Sequence, residues 1–464
     1  MVFSSITFLF YFLPIVLILY LAVPSLKLKN LVLLIASLFF YAWGEPVYVV
    51  LMLISICGNF FCGKYLASAG STSKKLKQYF IYAVAWNIAI LFFFKYANMV
   101  LRLVNVLLHT SFSELKLSLP IGISFYTFQA LSYVIDVYKG KVKPQKNLFS
   151  FALYVTMFPQ LIAGPIVKYS EIEKNLNNRK TTMAGFGKGA EHFIMGLGKK
   201  VLLANNLGAI FTQVSQMAPD SRSTLLVWLG AICYTFQIYF DFSGYSDMAI
   251  GLGYMFGFKF PMNFHYPYVA ASVTDFWRRW HISLSSWFRD YVYIPLGGNR
   301  VGTAKHIRNL LIVWGLTGLW HGASGNFILW GLYYAFWLIL EKYLLADFLQ
   351  GHKKFGHVFT CLIFLFGWVI FAFTDMGQLG TYLKQMMGIG TAGLVDRTAV
   401  YMLLTSLILL VVAVLVSTPL PYKVYKKVLN GHRPAAMILL VLLLVVCTAY
   451  LVYQSYNPFL YFRF

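Results

Sequence analysis

Apolar runs of about 20 residues recur along the whole chain, and this pattern limits its possible folds more than any other feature. A helix needs about 20 mainly apolar residues to cross the hydrocarbon core of a bilayer. The approximate spans that we predict are 2–23, 30–43, 47–66, 79–108, 117–138, 148–166, 184–213, 223–256, 309–343, 355–374, 399–419 and 435–454. Because no large polar segment interrupts them, we expect one all-helical, polytopic membrane domain over residues 1–464.

The composition points the same way. Of the 464 residues 59% are hydrophobic and only 11% are charged, and the mean hydropathy is +0.68. Soluble domains carry about 25% charged residues, so a chain this apolar cannot cover a water-facing surface. The first run starts at Val2 without a basic segment or a small-residue cleavage site. We therefore expect a retained span and not a removed signal peptide.

The charge balance has two compatible interpretations. Lysine and arginine number 38 against 15 acidic residues, a net charge of +23, and the basic residues cluster in short loops. Such loops face the cytoplasm and its anionic lipid headgroups. They could also attract a phosphate-rich or acidic partner, such as coenzyme A or an acyl carrier protein. Nucleic acid is not an expected partner.

The five cysteines predict no metal site. They are scattered through apolar runs, without C-x-x-C pairs or the Cys/His spacing of zinc ligands. We interpret them as small buried hydrophobic residues.

Basic residues also predict the orientation of the chain. Lys27 and Lys29 follow the first span, and further lysines follow the third and the fifth. The turns between, at 44–46 and 109–116, are poor in basic residues. By the positive-inside rule, the amino terminus lies outside and the basic loops lie in the cytoplasm.

The segment 148–166 breaks this alternation. Basic residues flank it on both sides, and it contains Pro159, Gly164 and Pro165, which fit a helix interior poorly. We interpret it as a re-entrant segment.

The segment 309–343 breaks it in the same way, because basic stretches precede and follow it. Its first arm, from Asn309 to Leu319, has eleven residues, or about 16 Å of helix, roughly half the hydrocarbon thickness. The turn of this hairpin falls at 320–324 (WHGAS). The sequence thus predicts that His321 lies near the middle of the membrane.

Ionisable side chains inside spans are expensive unless they line a cavity or find a partner. The candidates are His321, His265, Asp136, Asp241, Asp247 and Lys95. Glycines and tryptophans crowd the hairpin around His321, so a substrate could approach its ring closely. A buried neutral imidazole can accept a proton from a hydroxyl, as a general base does. The alternative is a histidine that is only a hydrogen-bonded packing element.

A second block lies at 274–291 (TDFWRRWHISLSSWFRDY). As one helix it would place His281 on an aromatic stripe that begins at Trp277, with Thr274 as N-cap. Asp275 and Arg279 are spaced for an i, i+4 ion pair. Most of this block fits an interfacial amphipathic helix. His281, however, should point inward.

A third block, 239–247 (YFDFSGYSD), alternates polar residues with aromatic ones in the middle of a span. Its polar groups must satisfy one another or line a polar tunnel, and both interpretations stay open. The sequence contains no G-x-S-x-G elbow, P-loop or dinucleotide fingerprint. ATP-driven pumping and dinucleotide redox chemistry are therefore not expected.

With these blocks in place, the chain resembles the membrane-bound O-acyltransferases of the bacterial alginate O-acetyltransferase type. The motifs that carry the resemblance, in order, are 39–46 (FFYAWGEP), 124–129 (SFYTFQ), 157–165 (MFPQLIAGP), 241–247, 275–300 (ending IPLGGNR), 320–324 and 457–464 (NPFLYFRF). Together they extend over essentially the whole chain, and it is their shared order that makes the resemblance specific.

The resemblance implies about eleven transmembrane helices with re-entrant and interfacial helices around a central tunnel, in a bacterial inner membrane. It implies that His321 and His281 are the two family histidines. The reaction would move an acyl group, expected to be acetyl, from a cytoplasmic thioester to a hydroxyl reached from outside. The donor would be acetyl-coenzyme A or an acyl carrier thioester, with no bound cofactor. The acceptor would be a cell-surface polysaccharide, with a partner protein of the SGNH-hydrolase-like kind.

Residues that could bind substrate or line the tunnel are Trp320, Ser324, Asn326, Trp277, Trp280, Ser285, Asp241, Ser243, Tyr245 and Gln129. The chain departs from the family pattern at Gly325, where a bulky aromatic is common, and at Tyr334, where a histidine is common. Both departures concern the length of the donor chain or the shape of the acceptor path.

Three other functions remain in competition. Intramembrane aspartates and broken helices would also suit a polysaccharide or lipid transporter, although no inverted repeat is visible. Within the family, D-alanyl transfer from a carrier protein to teichoic acid is the main alternative, and the run 294–300 favours the polysaccharide branch instead. Acylation of a lipid is a weaker third.

Overall fold

The computed structural model describes residues 1–68, 73–454 and 456–460, and every regular element within them is helical. The helices are α1 (Phe8–Ala22), α2 (Leu26–Gly44), α3 (Tyr48–Ser68), α4 (Ser73–Leu108), α5 (Ile123–Tyr138), α6 (Leu148–Thr156), α7 (Phe158–Leu161), α8 (Tyr169–Asn177), α9 (Met183–Gly198), α10 (Asn205–Gln216), α11 (Thr224–Met255), α12 (Val273–Arg279), α13 (Ile282–Phe288), α14 (Thr303–His321), α15 (Gly325–Leu340), α16 (Ala346–Gly351), α17 (Lys353–Ala372), α18 (Met376–Met386), α19 (Arg397–Val416), α20 (Leu420–Gly431) and α21 (Arg433–Tyr453). The predicted all-α class is confirmed.

Eight helices in the described part of the chain are long and apolar enough to cross a membrane. They are α2, α3, α4, α11, α15 continued through α16, α17, α19 and α21. The protein is therefore a multi-pass membrane protein. The count of about eleven spans stays a prediction, because several predicted spans correspond to shorter or broken helices.

The chain forms two compact units. Unit 1 comprises Met1–Phe193 and Asp247–Pro261, and unit 2 comprises Ile194–Ser246 with Met262 and the chain after it. Each unit has its own buried core. That the two act as a single domain stays a prediction.

In unit 1, α3 and α4 are joined by a reciprocal pair of buried amides. Asn59 Nδ2 donates to Asn87 Oδ1 at 3.0 Å, and Asn87 Nδ2 donates to Asn59 Oδ1 at 2.6 Å. Such pairs satisfy polar side chains that would otherwise face hydrocarbon.

The predicted interruption of 148–166 is also found in unit 1. Helix α6 ends at Thr156, and Pro159 lies in the first turn of the short α7, where a missing backbone N–H is tolerated. The proline therefore begins a new helix here. The re-entrant path of this segment stays a prediction.

In unit 2, a buried ion pair fastens the end of the described chain. Lys200 Nζ lies 2.6 Å from Asp241 Oδ1, and both side chains are only 3% exposed. Leu460 N donates to Asp241 Oδ2 at 2.9 Å, and Lys200 Nζ donates to Pro458 O. Residues 461–464, the last of the family-like close, lie outside the described residues.

Candidate active site

His321 is the last residue of α14, directly before the tight connection to α15. The helix begins at Thr303, so its 19 residues extend about 28 Å, and the predicted eleven-residue arm is wrong. The prediction failed because Lys305, His306 and Arg308 lie in the first turns of the helix, whereas the predicted helical arm began only after them, at Asn309. The depth of His321 in the membrane stays a prediction.

Two glycines bring α14 and α15 into backbone contact. A Cβ atom on Gly318 would overlap the carbonyl oxygen of Phe327, and one on Gly331 would overlap that of Trp314. Small residues allow this close approach between membrane helices. The contact fixes the end of α14, and with it the position of His321.

The ring of His321 is enclosed by aromatic side chains and is 5% exposed. Its centroid lies 5.0 Å from those of Trp330 and Phe371 and 4.9 Å from that of Trp320, all in edge-to-face geometry. These ring contacts restrict the imidazole by shape.

The aromatic surroundings extend to α12 and α17. Trp277 packs edge-to-face on Trp314, Trp330 and Tyr334, with ring centroids 4.6, 5.5 and 4.7 Å away. Trp280 lies 4.5 Å from Trp368. Trp277 and Trp280 therefore belong to the aromatic cluster around His321, and their role in binding substrate or lining a tunnel stays a prediction.

The block 274–291 is two short helices and not one. Helix α12 ends at Arg279, α13 begins at Ile282, and His281 lies between them with a left-handed backbone (φ 44°, ψ 54°). The single-helix prediction is therefore wrong, because the turn at His281 interrupts the 3.6-residue period. The inward orientation of His281 is confirmed, since its side chain is 2% exposed.

The start of α12 also differs from the prediction. The N-cap is Ser272, whose hydroxyl accepts from Asp275 N at 3.1 Å, and not Thr274. The buried carboxylate of Glu341 accepts from Val273 N and Thr274 N, which fastens α12 to the end of α15. The expected Asp275–Arg279 ion pair is present at 2.9 Å.

Asn263 holds the turn that carries His281. Its Oδ1 lies 3.1 Å from His281 Nδ1, and it accepts from Ser283 N at 3.2 Å and from Ser283 Oγ at 2.9 Å. Its Nδ2 donates to Ser246 Oγ at 3.0 Å, and its backbone oxygen accepts from Ile282 N. Sequence reasoning missed this residue, because a lone asparagine before an aromatic stretch carries no distinctive signal.

One indole contacts both imidazoles. Trp320 lies 6.0 Å from the ring of His281 and 4.9 Å from that of His321, each in edge-to-face geometry. Burial lowers the pKa of His281 to about 3, so this ring is neutral at ordinary pH. The structure therefore places the imidazoles of His281 and His321 in contact with the same indole.

The other predicted residues fall into four groups. Ser324 donates to Thr374 O at 3.1 Å, and Asn326 donates to Ile370 O and Phe371 O at 3.2 Å, so both fasten the start of α15 to the end of α17. Ser285 lies on α13, four residues after His281.

Asp241, Ser243 and Tyr245 are buried on α11, where Asp241 belongs to the ion pair with Lys200. Gln129 is buried on α5, which belongs to unit 1, and its predicted role at the site stays a prediction. The departure residue Tyr334 is fully buried, whereas Gly325 is exposed. Among the described residues no cluster of metal-ligand side chains is found.

Comparison with known proteins connects these features to a family. The model of the membrane-bound O-acyltransferase family matches residues 143–376. A protein of Pseudomonas putida named probable alginate O-acetylase is 40% identical over 491 aligned positions, which cover all of both chains. The protein of that name from Pseudomonas aeruginosa is 43% identical over 84% of this chain and 76% of its own length. A peptidoglycan O-acetyltransferase of Helicobacter pylori is 36% identical over 85% of this chain and 81% of its own.

The family match includes α12 to α15 and therefore both His281 and His321. Similarity to the Pseudomonas putida protein extends over the full length of the chain, and the predicted resemblance is confirmed. The chain belongs to the membrane-bound O-acyltransferase family, and it is an O-acyltransferase of the membrane.

Proposed function

We propose that this protein transfers an acetyl group from a cytoplasmic thioester to a hydroxyl of an extracytoplasmic polysaccharide, with His321 as the base. The observation that carries the proposal is the contact of Trp320 with both His321 and His281 inside a buried aromatic cluster. A site shielded from water favours acyl transfer over hydrolysis of the thioester.

The reaction needs one base and a thioester. The imidazole of His321 accepts the proton of the acceptor hydroxyl while the oxygen attacks the thioester carbonyl carbon. The tetrahedral intermediate then collapses, the carbon–sulfur bond breaks, and the thiolate leaves with the proton from the imidazolium. His281 would orient the reactants or relay that proton. An alternative with the same atom balance acylates His321 first and the acceptor second.

The charge distribution supports a cytoplasmic donor. Arg278, Arg289, Arg300, Lys305 and Arg308 are exposed along the segment that carries α12 to the start of α14. With the amino terminus outside, this segment would face the cytoplasm, where coenzyme A phosphates or an acidic carrier protein could bind it. The curated relatives are named for alginate and for peptidoglycan, which supports a polysaccharide acceptor for this chain, reached directly or through an SGNH-hydrolase-like partner.

The test is transfer of labelled acetyl from acetyl-coenzyme A by the purified protein in lipid vesicles, with polysaccharide acceptors inside or outside. His321→Ala should lower transfer about 10³-fold, and His281→Ala about 10²-fold, while both proteins stay folded. Carrier-bound acetyl and carrier-bound D-alanine form parallel arms. Transfer only from the D-alanyl carrier would establish the teichoic acid alternative, and unchanged transfer by His321→Ala would overturn the assignment.

His306 provides the matched control. It is a buried histidine on the same helix, α14, and its ring nitrogens bond to Tyr293 Oη at 2.9 Å and Tyr343 Oη at 2.7 Å. We expect His306→Ala to lower thermal stability but to retain transfer in the folded fraction.

A further inference from the structure

Asn263 bonds to the turn that carries His281 through both its side-chain oxygen and its backbone oxygen. The side-chain oxygen faces His281 Nδ1 and both the backbone N–H and the hydroxyl of Ser283, and the side-chain nitrogen donates to Ser246. The residue is fully buried, and its backbone oxygen bonds to Ile282 N.

These contacts determine the orientation of the amide. A backbone N–H can only donate, so the Asn263 atom that faces Ser283 N at 3.2 Å must be the oxygen. That oxygen has no proton, and it lies 3.1 Å from His281 Nδ1. Ser283 Oγ also lies 3.5 Å from Nδ1, but its proton is donated to Asn263 Oδ1, which is closer at 2.9 Å. The hydrogen bond between Asn263 Oδ1 and His281 Nδ1 therefore requires that Nδ1 carries the proton.

The neutral state of the His281 ring then determines that the other ring nitrogen, Nε2, carries no proton. His281 is neutral at ordinary pH because it is fully buried. A neutral imidazole carries one proton, so with Nδ1 protonated the lone pair is on Nε2.

We propose that Asn263 is a positioning residue, which holds neutral His281 with its proton on Nδ1 so that Nε2 is the basic nitrogen during acyl transfer. The catalytic part of this inference rests on the proposed function, whereas the assignment of the proton does not.

The backbone supports the same conclusion. His281 adopts the left-handed conformation that residues other than glycine rarely adopt, and such positions persist only when their surroundings impose them. The residues on its carboxyl side, Ile282 and Ser283, are both bonded to Asn263. The backbone and side chain of Asn263 together hold the turn, and the side-chain oxygen places the proton on the His281 ring.

The direct test is solid-state NMR of the full-length protein in lipid with 15N-labelled histidine rings. His281→Gln identifies the resonances of His281 among the nine histidines. Nδ1 and Nε2 are told apart by their couplings to the ring C–H protons, and the protonated nitrogen by its directly bonded proton. We expect the proton on Nδ1. A proton on Nε2 in the wild-type protein would overturn the proposal without any variant.

Variants then test the role of Asn263 itself. Asn263→Leu has similar volume but no acceptor, so the Nδ1-protonated form should lose its dominance and kcat should fall about 10²-fold with KM little changed. Asn263→Asp retains the acceptor, and it should keep the proton on Nδ1 and most of kcat. If Asn263→Leu kept the proton on Nδ1, the proposal would fail.

Asn309→Leu is the matched control. Asn309 is fully buried in the same unit and donates to Leu296 O and Gly298 O at 3.1 Å. Its replacement should leave the proton of His281 on Nδ1. If the proton moved to Nε2 in Asn309→Leu, loss of a buried asparagine elsewhere in unit 2 would have the same effect, and a specific role for Asn263 would be overturned. If His281→Gln transferred acetyl at the wild-type rate, the proposed catalytic role of His281 would fail while the NMR assignment stood.

Discussion

The two candidate catalytic histidines, His281 and His321, are held in different ways. His281 is fixed by hydrogen bonds, through Asn263 and the turn between α12 and α13. His321 is fixed by shape, at the end of a helix that glycines bring into backbone contact with its neighbour and among aromatic rings. We therefore expect His281 to respond to the loss of neighbouring polar groups or to a change of pH, and His321 to respond to a change in the volume of neighbouring side chains.

The largest effect should come from filling the contact between α14 and α15. In Gly318→Ala the added methyl group overlaps the backbone of Phe327, so α14 must shift, at a cost of about 3 kcal/mol. A displacement of His321 by about 1 Å can lower turnover about 10²-fold. Thermal unfolding and acetyl transfer measure the two effects.

Gly315 on the same helix is the matched control, because a Cβ atom there meets nothing within 4 Å. Gly315→Ala should leave transfer unchanged and stabilise the protein slightly, since alanine favours helix. Equal losses in the two variants would mean that the close contact does not position His321.

Acid should selectively destabilise the region of His281. Its folded pKa of about 3 lies below the unfolded value of about 6.5, so the unfolded chain binds the proton first. The stability that this group contributes is full above pH 6.5 and is lost as the pH falls toward 3, by about 3 kcal/mol at pH 4.

Thermal midpoints of the wild type and of His281→Gln between pH 7 and pH 4 provide the measurement. The variant should lose less stability over this interval than the wild type. Parallel pH curves for the two proteins would contradict the buried neutral state of His281.

A smaller effect is expected where Glu341 fastens α12. Glu341→Ala leaves the N–H groups of Val273 and Thr274 without their acceptor, which should lower the free energy of unfolding by about 2 kcal/mol. Asp347→Ala, which removes an exposed carboxylate from α16, is the control and should have almost no effect. Similar thermal shifts for both variants would argue against a stabilising contact between Glu341 and the start of α12.

The smallest effect belongs to the exposed side of α12. Asp275 and Arg279 form an i, i+4 pair whose side chains are 37% and 28% exposed, so a double-mutant cycle should give about 0.3–0.5 kcal/mol. A coupling energy well above 1 kcal/mol would show that this pair helps to hold the turn at His281.

The sequence predicted the membrane class, the family and the burial of both histidines, because these depend on long apolar runs and on ordered motifs. It also located the break at Pro159, since proline has a local effect on helices. It misplaced the start of α14, because the exposed Lys305 and Arg308 in the first turns of this helix have the polar character of a loop.

The geometry around His281 was beyond sequence reasoning for a different reason. A left-handed residue other than glycine has no local signature, so 274–291 was predicted as one helix. The contacts of Asn263 and Glu341 join residues 18 and 67–68 positions apart, and periodicity carries no information over such separations. Polar contacts of this kind become visible only in three dimensions.

The buried ion pair of unit 2 has a consequence for how the protein is made. The carboxylate of Asp241 accepts a hydrogen bond from the backbone N–H of Leu460, which follows it by 219 residues. At about 5–20 residues per second, synthesis of that stretch takes roughly 10–40 s, during which α11 carries a charged group that still lacks one of its final partners. Chains that end before Pro458 would keep the Lys200–Asp241 pair without its bonds to Pro458 and Leu460. An incompletely bonded ion pair inside a membrane helix is a feature by which truncated chains differ from the finished protein.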